Sequence, residues 1–173
     1  MNLEKYVRNI PDFPKPGILF RDVTTLIQNK AAFKASVDKL VKKYKNQNID
    51  KVVAVEARGF IFGAALAYRL GAGFIPVRKK GKLPYKTNSV TYSLEYGSDT
   101  LEIHQDAIST GDKVLIVDDL LATGGTVKAV TELVEGLKGE IAGIAFVIEL
   151  FDLNGRDKLK GYDIYSLIKF PGH

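Results

Sequence analysis

Apolar residues run almost unbroken through several short stretches of this chain, among them Val52 to Val55, Phe74 to Val77, Val114 to Val117 and Ile144 to Ile148. Runs rich in β-branched residues are how strands covered on both faces of a parallel sheet read. Between them the period changes. Phe33, Val37, Leu40, Val41 and Tyr44 recur at helical spacing, Ile61 to Leu70 is an apolar helix, and Val127, Val130, Leu133, Val134 and Leu137 mark another. Strands alternating with helices predict an α/β fold with a doubly wound, mainly parallel sheet of about five strands flanked by helices and joined by right-handed connections.

The remaining segments punctuate that pattern. Leu3, Tyr6, Val7 and Ile10 predict a short N-terminal helix stopped by Pro11, and Asp12 to Gly17 holds two prolines that exclude helix or central strand. Ile18 to Phe20 reads as a short strand. Thr91 to Tyr96 alternates, and Thr100 to Ile103 pairs with it as a hairpin across Gly97 to Asp99. Ile141 to Leu150 is the last long strand, Asn154 to Lys158 a turn, and Tyr162 to Leu167 an edge strand.

Candidate chemistry gathers where strands end. The run at Val114 stops at Asp118 and Asp119, and the small-residue loop Ala122, Thr123, Gly124, Gly125, Thr126 opens onto the next helix. Such a loop presents backbone N–H groups, the positive end of the helix dipole and two threonine hydroxyls to a phosphate. Two carboxylates beside a phosphate repel it, unless they accept hydrogen bonds from vicinal hydroxyls such as those of a ribose bearing a 5′-phosphate. Arg58 follows the strand at Val52 and suits a diphosphate clamp, being permanently charged and able to bond two oxygens at once. Arg78, Lys79, Lys80, Lys82 and Lys86 surround Gly81 and Pro84, a basic connector that repels itself and is expected to be mobile over about Lys80 to Ser89 until an anion arrives.

Val114 to Thr126 resembles the phosphoribosyl-pyrophosphate motif of the type I phosphoribosyltransferases. Phe13 to Asp22 and the stretch Tyr92 to Gly97 resemble the adenine-specific branch of that family, the adenine phosphoribosyltransferases. The resemblance covers almost the whole chain from Phe13 onward. It implies one phosphoribosyltransferase domain over residues 1–173, with a small hood at about residues 1–30, a core at about 31–173 and a flexible β-hairpin loop. It also implies a transferase making AMP and pyrophosphate from adenine and phosphoribosyl pyrophosphate. Asp118 and Asp119 then hold the ribose hydroxyls and Ala122 to Thr126 the 5′-phosphate. Arg58, Lys79 and Lys82 take the diphosphate, Leu19, Phe20, Arg21 and Leu150 the adenine, and Glu95 is a proton-transfer residue. A non-proline cis peptide between Glu56 and Ala57, a Mg2+ ion held by substrate and water rather than by side chains, and a homodimer are further implications. A transferase for another base would lack the hood and the Glu95 segment; a regulator could use the same fold to sense phosphoribosyl pyrophosphate, and some such regulators carry an added DNA-binding domain, for which 173 residues are expected to leave no room.

Composition narrows the classes further. With no cysteine and only His104 and His173, disulfides and thiolate or imidazole zinc centres are not expected. No apolar run approaches a membrane span and Met1 to Asp12 lacks a secretory core, so a cytoplasmic protein is the default. The net charge of +5 suits anionic small substrates, and the lysines from Lys34 to Lys51 read as the solvated face of an amphipathic helix. Neither nucleic acid nor membrane is expected as a partner.

Overall fold

The computed structural model describes residues 1–94 and 96–172. A 3-10 turn at Leu3–Tyr6 leads into β1 (Arg8–Ile10), which pairs antiparallel with β2 (Phe20–Asp22). The expected N-terminal helix is thus a single turn. Leu3 and Val7 are buried, and Arg8 onward is drawn into extended pairing, where its guanidinium bonds the Asp22 carboxylate. The connector holds a cis peptide at Phe13–Pro14, and the strand expected at Ile18 begins two residues later, at Phe20.

After α1 (Thr24–Gln28), Asn29 caps α2 (Lys30–Tyr44) by accepting from the N–H groups of Ala31 and Ala32. Then follow β3 (Lys51–Val55), α3 (Arg58–Leu70), β4 (Gly73–Lys79), β5 (Thr87–Ser93), β6 (Ser98–His104), β7 (Lys113–Leu121), α4 (Gly125–Gly136), β8 (Glu140–Leu150) and β9 (Ile164–Phe170). They form a seven-stranded sheet in the order β5-β6-β4-β3-β7-β8-β9. The strands from β4 to β9 in that order are parallel, matching the predicted parallel core, while the β5–β6 hairpin joins the sheet by antiparallel pairing of β6 with β4.

Alternate residues of each central strand serve opposite layers. Val52, Ala54, Leu115 and Val117 pack with Leu40, Phe62 and Leu66 of α2 and α3. Val53, Val55, Val114 and Ile116 pack with Val127, Val130 and Leu133 of α4. Phe62 and Leu66 are wholly buried, each contributing about 1.5–3 kcal/mol relative to exposure. Gly63 lets α3 settle on β3, since a Cβ there would lie 2.6 Å from the Ala54 methyl.

Two boundaries differ from the sequence pattern in ways that affect the site. β7 does not stop at the acids but continues through them to Leu121, because β8 runs alongside and pairs Asp118 with Phe146 and Leu120 with Ile148. β5 starts at Thr87, so the last residues of the segment expected to be mobile, Thr87 to Ser89, are paired with His104 to Glu102. Among the described residues, no helix is long and apolar enough to cross a membrane.

Candidate active site

The carboxyl ends of β3, β4 and β7 open on one side of the sheet, around a cavity of about 510 Å³. Its wall is built from Ala57 and Arg58 after β3, Lys79 at the end of β4, Asp118 and Asp119 within β7, and the loop Ala122 to Thr126. This is the crevice where open α/β sheets take ligands, and here each strand delivers a different kind of polar group.

At the loop, Gly124 sits at φ +82°, a left-handed conformation that favours glycine, and α4 begins at the next residue. Among the described residues no side chain caps that helix, and its first turn holds no acid, so its N-terminal residues border the cavity as a site open to an anion. A Cβ on Gly124 would collide with the Gly155 carbonyl, and one on Gly155 with the Ala122 carbonyl. Two backbones therefore touch directly beneath the loop. The segment carrying Gly155 is tied down by Arg156, which bonds both oxygens of buried Glu149 at 2.7 Å.

The acids are not equivalent. Asp119 is 7% exposed and forms an ion pair with Arg58 Nε at 2.5 Å. Asp118 Oδ1 accepts from the Asp119 N–H at 2.8 Å, and burial together with the neighbouring Asp119 carboxylate pushes its pKa well above the usual range. Gly59 is also required here, because a Cβ would lie 2.8 Å from Asp118 Oδ1. At the other wall, Glu56 accepts from the Lys79 N–H at 2.8 Å and lies within 3.4 Å of Arg78. Burial raises the Glu56 carboxyl, but these donors outweigh it and the net shift is downward. Lys79 Nζ pairs with Asp99 on β6 at 3.1 Å, and that hydrogen bond and charge hold the lysine's pKa up.

Arg58, Lys79, Asp118, Asp119 and Ala122 to Thr126 are thus brought together around one cavity. The peptide between Glu56 and Ala57 beside them is cis, as the motif implied. The residues expected to contact adenine lie to one side. Phe20 is half-buried, with the Phe13 ring edge-on at 5.1 Å and the Arg58 guanidinium 5.4 Å from its centre. Leu19 and Arg21 flank Phe20, the Arg21 side chain bonding Asn9 and the Pro171 carbonyl, while Leu150 is buried at the end of β8. Lys82 is exposed on the connector and does not line the cavity, and Glu95 lies outside the described residues. Nothing in the local sequence pattern marks Tyr92, whose hydroxyl lies 3.3 Å from that of Thr126, or Asp99. Both sit on the hairpin as register partners, and only strand pairing brings them over the cavity.

Comparison with known proteins agrees with this geometry. Residues 23–171 match the model of the phosphoribosyl transferase domain. The adenine phosphoribosyltransferase of Clostridium kluyveri is 62% identical over 98% of this chain and 99% of its own length. The chain belongs to the adenine phosphoribosyltransferase family. Among solved structures of the family, the enzyme of Thermoanaerobacter pseudethanolicus superposes with a TM-score of 0.94 at 56% identity, covering 97% of this chain and 98% of that one. The Saccharomyces cerevisiae adenine phosphoribosyltransferase, solved with an imino-altritol bisphosphate and adenine, gives 0.90 at 43% identity over 95% and 96% of the two chains. Family membership accounts for the concentration of polar groups at one sheet edge, since a phosphoribosyl donor presents phosphate at both ends and hydroxyls between.

Proposed function

We propose that this protein joins adenine to phosphoribosyl pyrophosphate, giving AMP and pyrophosphate. The observation that carries the proposal is the placement of the acid pair between a phosphate loop and a cationic wall, in a chain that matches an adenine phosphoribosyltransferase over 98% of its length. In this reading the whole chain is one catalytic domain, with its hood at about residues 1–30 and its core at about 31–173, working as a homodimer.

C1 of the ribose parts from pyrophosphate and gains N9 of adenine through a transition state with cationic, oxocarbenium-like sugar. Ala122 to Thr126 hold the 5′-phosphate with backbone amides and threonine hydroxyls. Asp118 and Asp119 accept from the ribose hydroxyls, fixing C1 opposite the base. Arg58 and Lys79 receive the negative charge that develops on the leaving diphosphate, and Lys82 joins them when the connector closes. A Mg2+ ion would be held by substrate oxygens and water rather than by side chains, and would supply further neutralisation of the charge on the leaving diphosphate. Phe20 and Leu150 sandwich the base, main chain at Leu19 and Arg21 reads its edge, and Glu95 manages its proton.

The test is formation of AMP from labelled adenine, with phosphoribosyl pyrophosphate and magnesium each present or withheld. Hypoxanthine is the informative competitor: the Leu19 carbonyl and the Arg21 N–H each meet a mismatched group on it, so kcat/KM should favour adenine by roughly 10² to 10⁴. Equal values for the two bases would refute the adenine assignment.

A further inference from the structure

Lys158 lies in the 3-10 turn Gly155–Leu159, far from the phosphate loop in sequence and against it in space. Its ammonium comes within 3.9 Å of the point where a Cβ on Gly125 would stand, and Gly125 is the first residue of α4. The other cations of this segment are occupied: Arg156 by Glu149, and Lys160 by Asp157 at 3.8 Å. Among the described residues no carboxylate lies within ion-pair distance of Lys158. Lys158 is exposed and stands at the rim of the cavity rather than in its wall, so its ammonium is near the start of a helix whose first amides carry partial positive charge and has no anion of its own.

The backbone that carries Lys158 is held by the interlock. Gly155 contacts the Ala122 and Gly124 main chain with no side chain between, and the Arg156 fork anchors the same turn to the end of β8. Lys158 is thus presented by the loop's own support.

We infer that Lys158 is a binding residue for the 5′-phosphate, adding one full charge to a cradle otherwise made of amides and hydroxyls. This rests on the proposed reaction and goes beyond it, since the phosphate motif from Val114 to Thr126 does not include the residue. The lysine discriminates a phosphorylated ribose from a free one, and so contributes to binding both phosphoribosyl pyrophosphate and AMP.

The test compares Lys158→Met and Lys158→Arg with wild type, using Lys160→Met as a neighbouring control. Lys158→Met should raise the KM for phosphoribosyl pyrophosphate and the Kd for AMP about tenfold, with kcat within about twofold. Adenine and pyrophosphate binding should not change. Lys158→Arg should restore most of the loss, and Lys160→Met should behave as wild type. If Lys158→Met binds AMP as wild type does while wild type turns over normally, the lysine has no such role and the functional proposal stands. A wild type that makes no AMP overturns the functional proposal and this inference with it.

Discussion

The two acids of β7 make opposite demands on the fold. Asp118 has a folded pKa above its unfolded one, so it favours the folded state most below the unfolded value and loses that favour as pH rises through the folded value. Replacing it with asparagine removes a charge that the folded chain holds at a cost. Asp118→Asn should therefore melt higher than wild type at pH 8, by roughly 2–4 °C for each kcal/mol relieved, and the gap should close near about pH 4. The same variant should bind phosphoribosyl pyrophosphate about tenfold or more weakly, as charge-assisted bonds contribute roughly 1.5–3 kcal/mol. Asp119→Asn breaks the pair with Arg58 and should lower both melting temperature and affinity. Melting curves across pH, alongside titration with the donor, separate these outcomes, and a lower Tm for Asp118→Asn at pH 8 would refute the account.

At the scale of elements, the hood is pinned by Asp22. Its carboxylate accepts from the Thr24 hydroxyl at 2.6 Å, the Thr24 N–H at 2.9 Å and Arg8, which together bring its pKa down to about 2 against the opposing effect of burial. A lowered pKa gives stability that is present above the unfolded value near 4 and disappears as pH falls toward 2. Asp22→Asn should cost about 1–2 kcal/mol at pH 7 and roughly half of that at pH 3, measured by urea unfolding at both. A second element-scale expectation concerns the support of the phosphate loop. Gly155→Ala places a methyl into the Ala122 carbonyl and 2.9 Å from Leu121 Cδ1, so one of the two backbones must move. Overpacking of this kind costs about 1–3 kcal/mol, and donor affinity should fall although residue 155 lies outside the motif. Unaltered donor binding would mean the loop holds its shape without the interlock.

The buried runs, the amphipathic helices and the motif from Asp118 to Thr126 were legible because local periodicity and spacing carry them. The boundaries that depart from the local pattern have a common cause. Arg8–Ile10 is too short to show a period and takes its strand form from a partner twelve residues on, while Asp118 to Leu121 stays in β7 because β8 pairs with it. Tyr92, Asp99 and Gly155 reach the site by pairing and packing between distant segments, which no local pattern records.

Across the whole molecule, the C-terminal segment closes back on the hood. Arg21 lies 4.5 Å from the Phe170 ring centre and donates to the Pro171 carbonyl, and the Gly172 N–H donates to Asp152. The first and last segments of the chain thus meet behind the residues expected to read adenine. Ending the chain at Lys169 should raise the KM for adenine several-fold while leaving that for phosphoribosyl pyrophosphate near wild type, because the phosphate loop is supported from Gly155. Steady-state kinetics varying each substrate in turn decide the matter, and equal losses for both would point to general unfolding.

The strand order also sets a schedule for synthesis. β3 sits mid-sheet between β4 and β7, yet its Val52 and Val53 pair with Leu115 and Ile116, which leave the ribosome much later. At about 5–20 residues per second, one side of a valine-rich strand waits several seconds for its neighbour. Any nascent or truncated chain that stops short of Lys113 carries that side open, a row of unpaired amides and carbonyls flanked by apolar side chains and ready to join another copy. Premature termination in this gene should accordingly yield inclusion bodies rather than a soluble fragment.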